Sequence, residues 1–424
     1  MKAADKGRRA LEWGKTALIL LLMASAAALI ARSPLIRGSG LQPGQSAAQN
    51  APDTQSTLPE AAIPVRMAAG SGKGIYGVQY DQDAVDGFFA QAGPLLGEVL
   101  SAAAAPEGIA EQRWIDLFDG KFLYFDYVGA MPLEVLGRWL KSGGTGPAVS
   151  VRHIVLAPGA GDTLCLYFQD EADGAFYQSR TALSAQLHLN AALSGITPNG
   201  ASFAFQDEGL RGILTMCTLL TDGEAQPEIY NCASPVPLTG STQIDWLLSA
   251  LNFSDQNQAN VSGSLLYVEG ENTLRLLSTG EVRYHGSAAG KYPAGEGLTG
   301  AADAAWALAR ATAGTLCGQG RLYLISALEE PEGVYTVTFG YTLGGCEVYL
   351  YDEGWAAQVR IENGAVSDFT LRLRSYAGSG ATALLLPAEK AAVGLSALSD
   401  SPRELMVQYR DSGGTELVPN WVGR

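Results

Sequence analysis

The run Thr16–Ala31, TALILLLMASAAALIA, constrains this chain more than any other stretch, because sixteen consecutive residues there carry no charge. As a helix rising about 1.5 Å per residue it covers roughly 24 Å of a hydrocarbon core about 30 Å thick. The shortfall closes if Lys15 and Arg32 snorkel, Trp13 sits at headgroup level, and Leu35 and Ile36 dip back toward the acyl chains. A buried core helix is a poor alternative, since the run has no polar face to turn to water. We expect one membrane crossing, with Trp13, Ala24 and Ala28 as anchor residues; Ala24 and Ala28, four apart, share a small-residue face suited to helix contact.

The flanks set the orientation. Residues 1–15 carry five basic side chains against two acidic ones, a net of +3, which keeps that end cytoplasmic. The remainder holds 23 basic and 41 acidic side chains, a net of −18, and is expected outside the membrane. A cleaved signal peptide is the alternative. The small residues of ASAAA lie inside the apolar run, however, and Arg32 and Pro34 follow at once, a poor cleavage context.

That acidic balance argues against nucleic acid as a partner, because phosphate binding needs clustered Lys and Arg, and no basic stripe follows residue 15. Five cysteines at irregular spacings, without CxxC, encode neither a zinc site nor a disulfide framework. Cys217 and Cys232, flanking the polar turn TDGEAQPE, are the candidate disulfide pair; otherwise all five are small core residues. With 51 glycines and only 17% charged residues, the body reads as turn-rich and β-rich.

From Arg37 to about residue 72, Pro, Gly, Gln and Ser replace any apolar period, as in a flexible tether. Residues 84–105 have helical spacing that Gly93 and Pro94 are expected to kink or split. Strands follow in KFLYFDYVG, VRHIVLA and DTLCLYFQD, with a short helix after Pro132 and a hairpin turn at Asp173-Gly174. A helix near residues 181–193 and strands near 202–206 and 212–219 complete a first α+β domain.

A helix from Gln243 opens a second unit. Strands at residues 263–268, 272–277 and 282–285 lead to the alanine-rich helix 301–316, and hairpins fill much of the rest. Two segments rehearse one another: strand, a G-x-V turn (Gly280-Glu281-Val282 and Gly364-Ala365-Val366), strand, then Ala-rich helix. Regions 263–316 and 345–398 are therefore expected to superpose.

Signatures of catalysis are absent. There is no GxSxG, HExxH, SxxK or P-loop, and His153, His188 and His285 read as ordinary strand or helix positions. The acidic groups Asp170, Glu171 and Asp173, and Glu329, Glu330 and Glu332, fall at turns where carboxylates are solvated. Trp246, Trp306 and Trp355 read as packing residues. No catalytic, cofactor-binding or metal residue is assigned.

Taken together, EWGKTALILLL, WIDLFDGKFLYFDYVGAMPLEVLGRWL, NFSDQNQANVSGSLLYVEGENTLRLLSTGEVRYHG and the closing ELVPNWV resemble the YycH family of Gram-positive bacteria, with its shorter relative YycI. They match that family's opening crossing, its early strand and helix pattern, its Y-x-D-G block and its L-V-P-x-W tail, with Glu269-Gly270 in place of the usual Asp-Gly. The resemblance implies an α+β protein with an N-terminal transmembrane helix, a flexible linker, an extracytoplasmic α+β domain and two PepSY-like α+β modules. The expected divisions are a cytoplasmic tail and anchor at 1–36, linker at 37–72, N-terminal domain at 73–240, middle module at 241–298 and C-terminal module at 299–424. It further implies a non-enzymatic, single-pass membrane protein that modulates the sensor histidine kinase of a cell-wall two-component system, with a second YycH-like or YycI-like chain as a further partner. The rival readings are an exported or anchored envelope hydrolase, and a PepSY-like ligand-binding or protease-inhibitory module.

Overall fold

The computed structural model describes residues 58–142, 146–221, 226–286, 290–398 and 401–424. The anchor residues Trp13, Ala24 and Ala28 lie outside them. Among the described residues no helix is long and apolar enough to cross a membrane.

The first sheet is built from β1 (Arg66–Ser71), β2 (Ile75–Val78), β3 (Glu107–Ile109), β4 (Lys121–Pro132), β5 (Ser150–Pro158), β6 (Thr163–Asp170) and β7 (Phe176–Ser184). All pairings are antiparallel, in the order β2-β1-β4-β5-β6-β7-β3. Side chains on a strand alternate between faces. Along β4, Leu123, Phe125 and Tyr127 enter one core cluster, while Phe122 and Tyr124 enter a second. Both faces are therefore covered, which is why this aromatic stretch is apolar almost throughout rather than alternating with polar residues.

One face packs on helix α1 (Gln82–Ala102) through Val85, Phe88, Phe89, Ala92 and Leu96. The helix is not split at Gly93-Pro94: it runs as one element through both residues. Pro94 and Ala90 both lie on its exposed side, so the carbonyl that loses its N–H partner faces water. Against the other face lie α2 (Glu111–Asp116) with Trp114, then Phe118, Phe203 and Phe205 in mutual ring contact. Two further short helices, α3 (Leu133–Trp139) and α4 (Ala185–Ala192), complete this part. The strands expected at 202–206 and 212–219 reduce to β8 (Ser202–Phe203) and β9 (Leu219–Leu220). Between them the chain loops, with Arg211 donating to the Phe205 carbonyl.

The linker expected to run to residue 72 ends sooner: Arg66–Ser71 pairs with both β2 and β4. Nor does residue 240 close off a domain. Strand β10 (Glu228–Ala233), within the region assigned to the first domain, pairs with strands contributed from residues 375–382 and 416–417.

The second large sheet begins with helix α5 (Ser241–Ala250) and the meander β11 (Gln258–Val261), β12 (Ser264–Glu269), β13 (Asn272–Leu276) and β14 (Glu281–His285). Helix α6 (Gly297–Ala309) then precedes β15 (Arg321–Glu330), β16 (Val334–Leu343), β17 (Cys346–Leu350), β18 (Ala357–Glu362) and β19 (Ala365–Arg372). The order β11-β12-β13-β14-β19-β18-β16-β15 is antiparallel throughout.

The repeat is present in a different frame from the expected one. Regions 263–316 and 345–398 differ, because β17 pairs with β16 rather than β18, and β20 (Ser375–Thr382) leaves for the sheet of β10 before α7 (Ala388–Ser396). What recurs is a helix followed by four antiparallel strands: α5 with β11 to β14, and α6 with β15, β16, β18 and β19. The two G-x-V turns do correspond, each joining the third strand of its unit to the fourth, with Gly280 and Gly364 at φ 85° and 74°. The last strands, β14 and β19, pair antiparallel and join the two units into one sheet.

The C-terminal strands are β21 (Leu405–Asp411), β22 (Glu416–Leu417) and β23 (Pro419–Gly423); β21 runs parallel to β17 and antiparallel to β23. The two large sheets meet where Ser326 of β15 pairs with Ala130 of β4.

Candidate functional site

Three cross-strand neighbours make the polar end of the first sheet. Arg66 on β1 stands opposite Asp126 on β4, and Asp126 stands opposite His153 on β5. They continue the face of Phe122 and Tyr124, so a buried aromatic row runs directly into a buried charged one.

Glu404 enters this row from the segment leading into β21. Its carboxylate accepts from Arg66 Nη2 through Oε1 and from Arg152 Nη2 through Oε2, the latter at 3.0 Å. Arg66 Nη2 also lies 2.8 Å from Asp126 Oδ2, an ion pair outside hydrogen-bond geometry. Two guanidinium groups and two carboxylates thus cancel in charge. They are nearly dry: the side chains of Arg66, Asp126 and Glu404 are 2, 0 and 4% exposed. Burial by itself would push the Glu404 carboxyl up, but Arg66 and Arg152 overcome it and hold the group at about 2. Burial likewise opposes the charge on Arg66, and Asp126 with Glu404 more than compensates, raising its pKa.

The backbone beside this network is strained. Val128 has φ 62°, an unusual conformation for a β-branched residue, and sits in the bulge where the β4–β5 register shifts. Asp126 Oδ1 accepts from the Val128 N–H at 2.9 Å. The Val128 carbonyl takes Arg152 Nε at 2.8 Å and Arg424 Nη1 at 3.0 Å. Arg424 and Glu404 are in turn joined by two backbone hydrogen bonds. Neither nitrogen of His153 has a hydrogen-bond partner; its Nε2 is 3.8 Å from Asp126 Oδ1 and its ring stacks on Tyr124. Burial pushes its pKa down despite Asp126, which favours the neutral imidazole.

Asp126, His153 and Glu404 bring potential metal-ligand atoms within 4.8 Å of one another. The donor set does not fit a cation, because Arg66 already bridges the two carboxylates. A metal would have to displace a buried guanidinium. The arrangement is an ion-pair network.

Outside the network opens a cleft of about 710 Å³. His153, Arg152 and Glu404 form its depth, Phe176, Phe205 and Met216 an apolar wall. Exposed at the rim are Glu111, Glu171, Arg211 and Arg424.

Sequence reading singled out His153 and Glu171 only to set them aside, and missed Arg66, Asp126, Arg152 and Glu404 altogether. One local signal was available: Asp126 interrupts an otherwise apolar strand, and a lone carboxylate at an inward position requires a partner. The other two histidines play separate parts, His188 contacting the Ser184 carbonyl and His285 contacting Asp368. Asp170 and Asp173 cap backbone N–H groups in their turn, while Glu330 pairs with Arg360. Trp306 packs on Trp139 and Phe339, and Trp355 carries the Arg372 guanidinium 3.6 Å from its ring centre. The candidate disulfide is not formed. Cys217 packs in the aromatic cluster of the first sheet, whereas Cys232 belongs to the other core cluster and donates through Sγ to the Gly414 carbonyl.

No protein-family model matches the sequence, and no curated protein matches it. Among solved structures, the crystal structure of YycH from Bacillus subtilis matches with a TM-score of 0.54, covering 87% of this chain and 95% of that one at 13% identity. The chain has a YycH-like fold. At this identity the likeness extends to the fold and no further, and the YycH-like frame accommodates the network and the cleft just described.

Proposed function

We propose that this protein is a membrane-anchored, extracytoplasmic regulator that acts by protein contact on a sensor histidine kinase of a two-component system. The observation that carries this reading is the YycH-like fold over 87% of the chain, taken with the charge step around Thr16–Ala31. On this reading the two helix-and-four-strand units are the PepSY-like modules, and the protein is not an enzyme. An effector shifts a two-state kinase only by the difference in its contacts with the two states. The crossing supplies one such contact through Ala24 and Ala28, and the outer sheets supply the rest; a second YycH-like or YycI-like chain completes the assembly.

Co-purification of the full chain from membranes with a histidine kinase tests the reading. Recovery of a kinase, together with altered autophosphorylation when the chain is deleted, supports it. Absence of any kinase, with turnover of peptide or cell-wall substrates, favours the envelope hydrolase. Ala24→Leu with Ala28→Leu should weaken the kinase effect while leaving membrane insertion intact; unchanged regulation assigns the contact wholly to the outer domains.

A further inference from the structure

The cleft over the ion-pair network has the composition of a recognition site for a small ligand. Its volume of about 710 Å³ lies within the ordinary range for such sites, roughly 300–1,000 Å³. One wall is apolar, from Phe176, Phe205 and Met216, while charge of both signs is placed around the opening.

The charges restrict what can bind. Arg66, Arg152, Asp126 and Glu404 neutralise one another. Around the rim, Glu111 and Glu171 balance Arg211 and Arg424. A polyanion would meet the two glutamates, and a simple cation the two arginines. The signs are interleaved, Glu171 lying close to Arg152 and Arg424, so a molecule carrying one charge of each sign meets a complementary group for both.

The unused hydrogen-bonding capacity agrees. The Glu171 carboxylate has no hydrogen-bond partner among the described residues; desolvation pushes its pKa up although Arg152 and Arg424 nearby draw it down, and an N–H donor would stabilise its charged form further. Arg152 spends Nε on the Val128 carbonyl and Nη2 on Glu404, leaving Nη1 without a partner among the described residues. Arg424 uses Nη1 on the same carbonyl. His153, 5% exposed and at the inner end of the cleft, is unpartnered at both ring nitrogens.

We propose that this cleft binds a short zwitterionic peptide bearing an apolar side chain, its two charged termini held by the mixed rim of Glu111, Glu171, Arg211 and Arg424 and its side chain lying on Phe176, Phe205 and Met216. The site is independent of whether the protein regulates a kinase.

Titration calorimetry of the full chain with L-alanyl-L-phenylalanine tests this directly, alongside the N-acetylated, C-amidated form of the same dipeptide and inorganic phosphate. The free dipeptide should bind saturably, and the capped form at least tenfold more weakly. Glu171→Gln should weaken the free dipeptide several-fold without moving Tm, since its side chain is exposed and makes no hydrogen bond among the described residues, whereas Arg211→Gln should weaken it several-fold and also lower Tm, because Arg211 donates to the Phe205 carbonyl. Equal binding of free and capped forms removes the role given to the rim charges and overturns the proposal. Tighter binding of phosphate makes the cleft an anion site, and absence of saturable dipeptide binding at millimolar concentration makes it no peptide site; either result also overturns the proposal.

Discussion

Arg66 and Glu404, 338 residues apart in the chain, share a buried ion pair that ties the first strand of the fold to the segment leading into its C-terminal strands. Asp126 and Arg152 complete the network, so every charge in it has an opposite neighbour. Removing one member costs more than the pair is worth in isolation, because the remaining charges stay buried without compensation.

Glu404→Gln should therefore leave a net positive charge among Arg66, Arg152 and Asp126, and destabilise the fold by about 3–5 kcal/mol. Urea unfolding monitored by tryptophan fluorescence gives the value. A loss below about 1 kcal/mol would place the network on the ordinary footing of surface ion pairs.

The same carboxyl sets an acid limit. Its pKa falls from the usual 4.5 to about 2 on folding, so its contribution is fully present above about 4.5. Stability should be lost progressively as pH drops from about 4.5 toward 2. In the Glu404→Gln protein that part of the slope should be missing, which thermal melts across pH 2–5 will show.

His153 acts higher on the pH scale with the same sign. Burial lowers its folded pKa below the usual 6.5. The unfolded chain takes up the proton first, and stability falls as pH drops below about 6.5. His153→Phe keeps a ring against Tyr124 and removes two unpartnered nitrogens. We expect stability equal to or above that of the parent at pH 5 and a flatter profile between pH 7 and 5; an unchanged profile would assign the slope to other groups.

Gly129 marks the meeting of the two large sheets. A Cβ there would lie 2.1 Å from the Leu324 carbonyl oxygen and 2.8 Å from Ile325 Cα, both backbone atoms that cannot turn aside. Gly129→Ala should force β4 away from β15 next to the Ala130–Ser326 pairing, at a cost of about 3 kcal/mol. Hydrogen exchange should rise first at residues 128–132 and 324–327. Full retention of Tm would mean that the junction is slack.

Much of the local structure was legible in the sequence. The aromatic and apolar runs KFLYFDYVG and DTLCLYFQD, the Asp173-Gly174 turn and the G-x-V turns located strands and hairpins, because strand-favouring composition and the φ of a turn glycine are properties of a few adjacent residues. The acidic balance and the lack of catalytic signatures were equally direct readings. What the sequence left open depends on contacts between distant residues. The pairing of β10 with β20, the frame of the repeat, the unbroken helix through Pro94 and the meeting of Arg66 with Glu404 have no local signature. Each is decided by which surfaces remain to be buried once neighbouring elements are in place. A carboxylate at position 126 announces that it needs a partner, but only the folded chain brings residues 66, 153 and 404 to it.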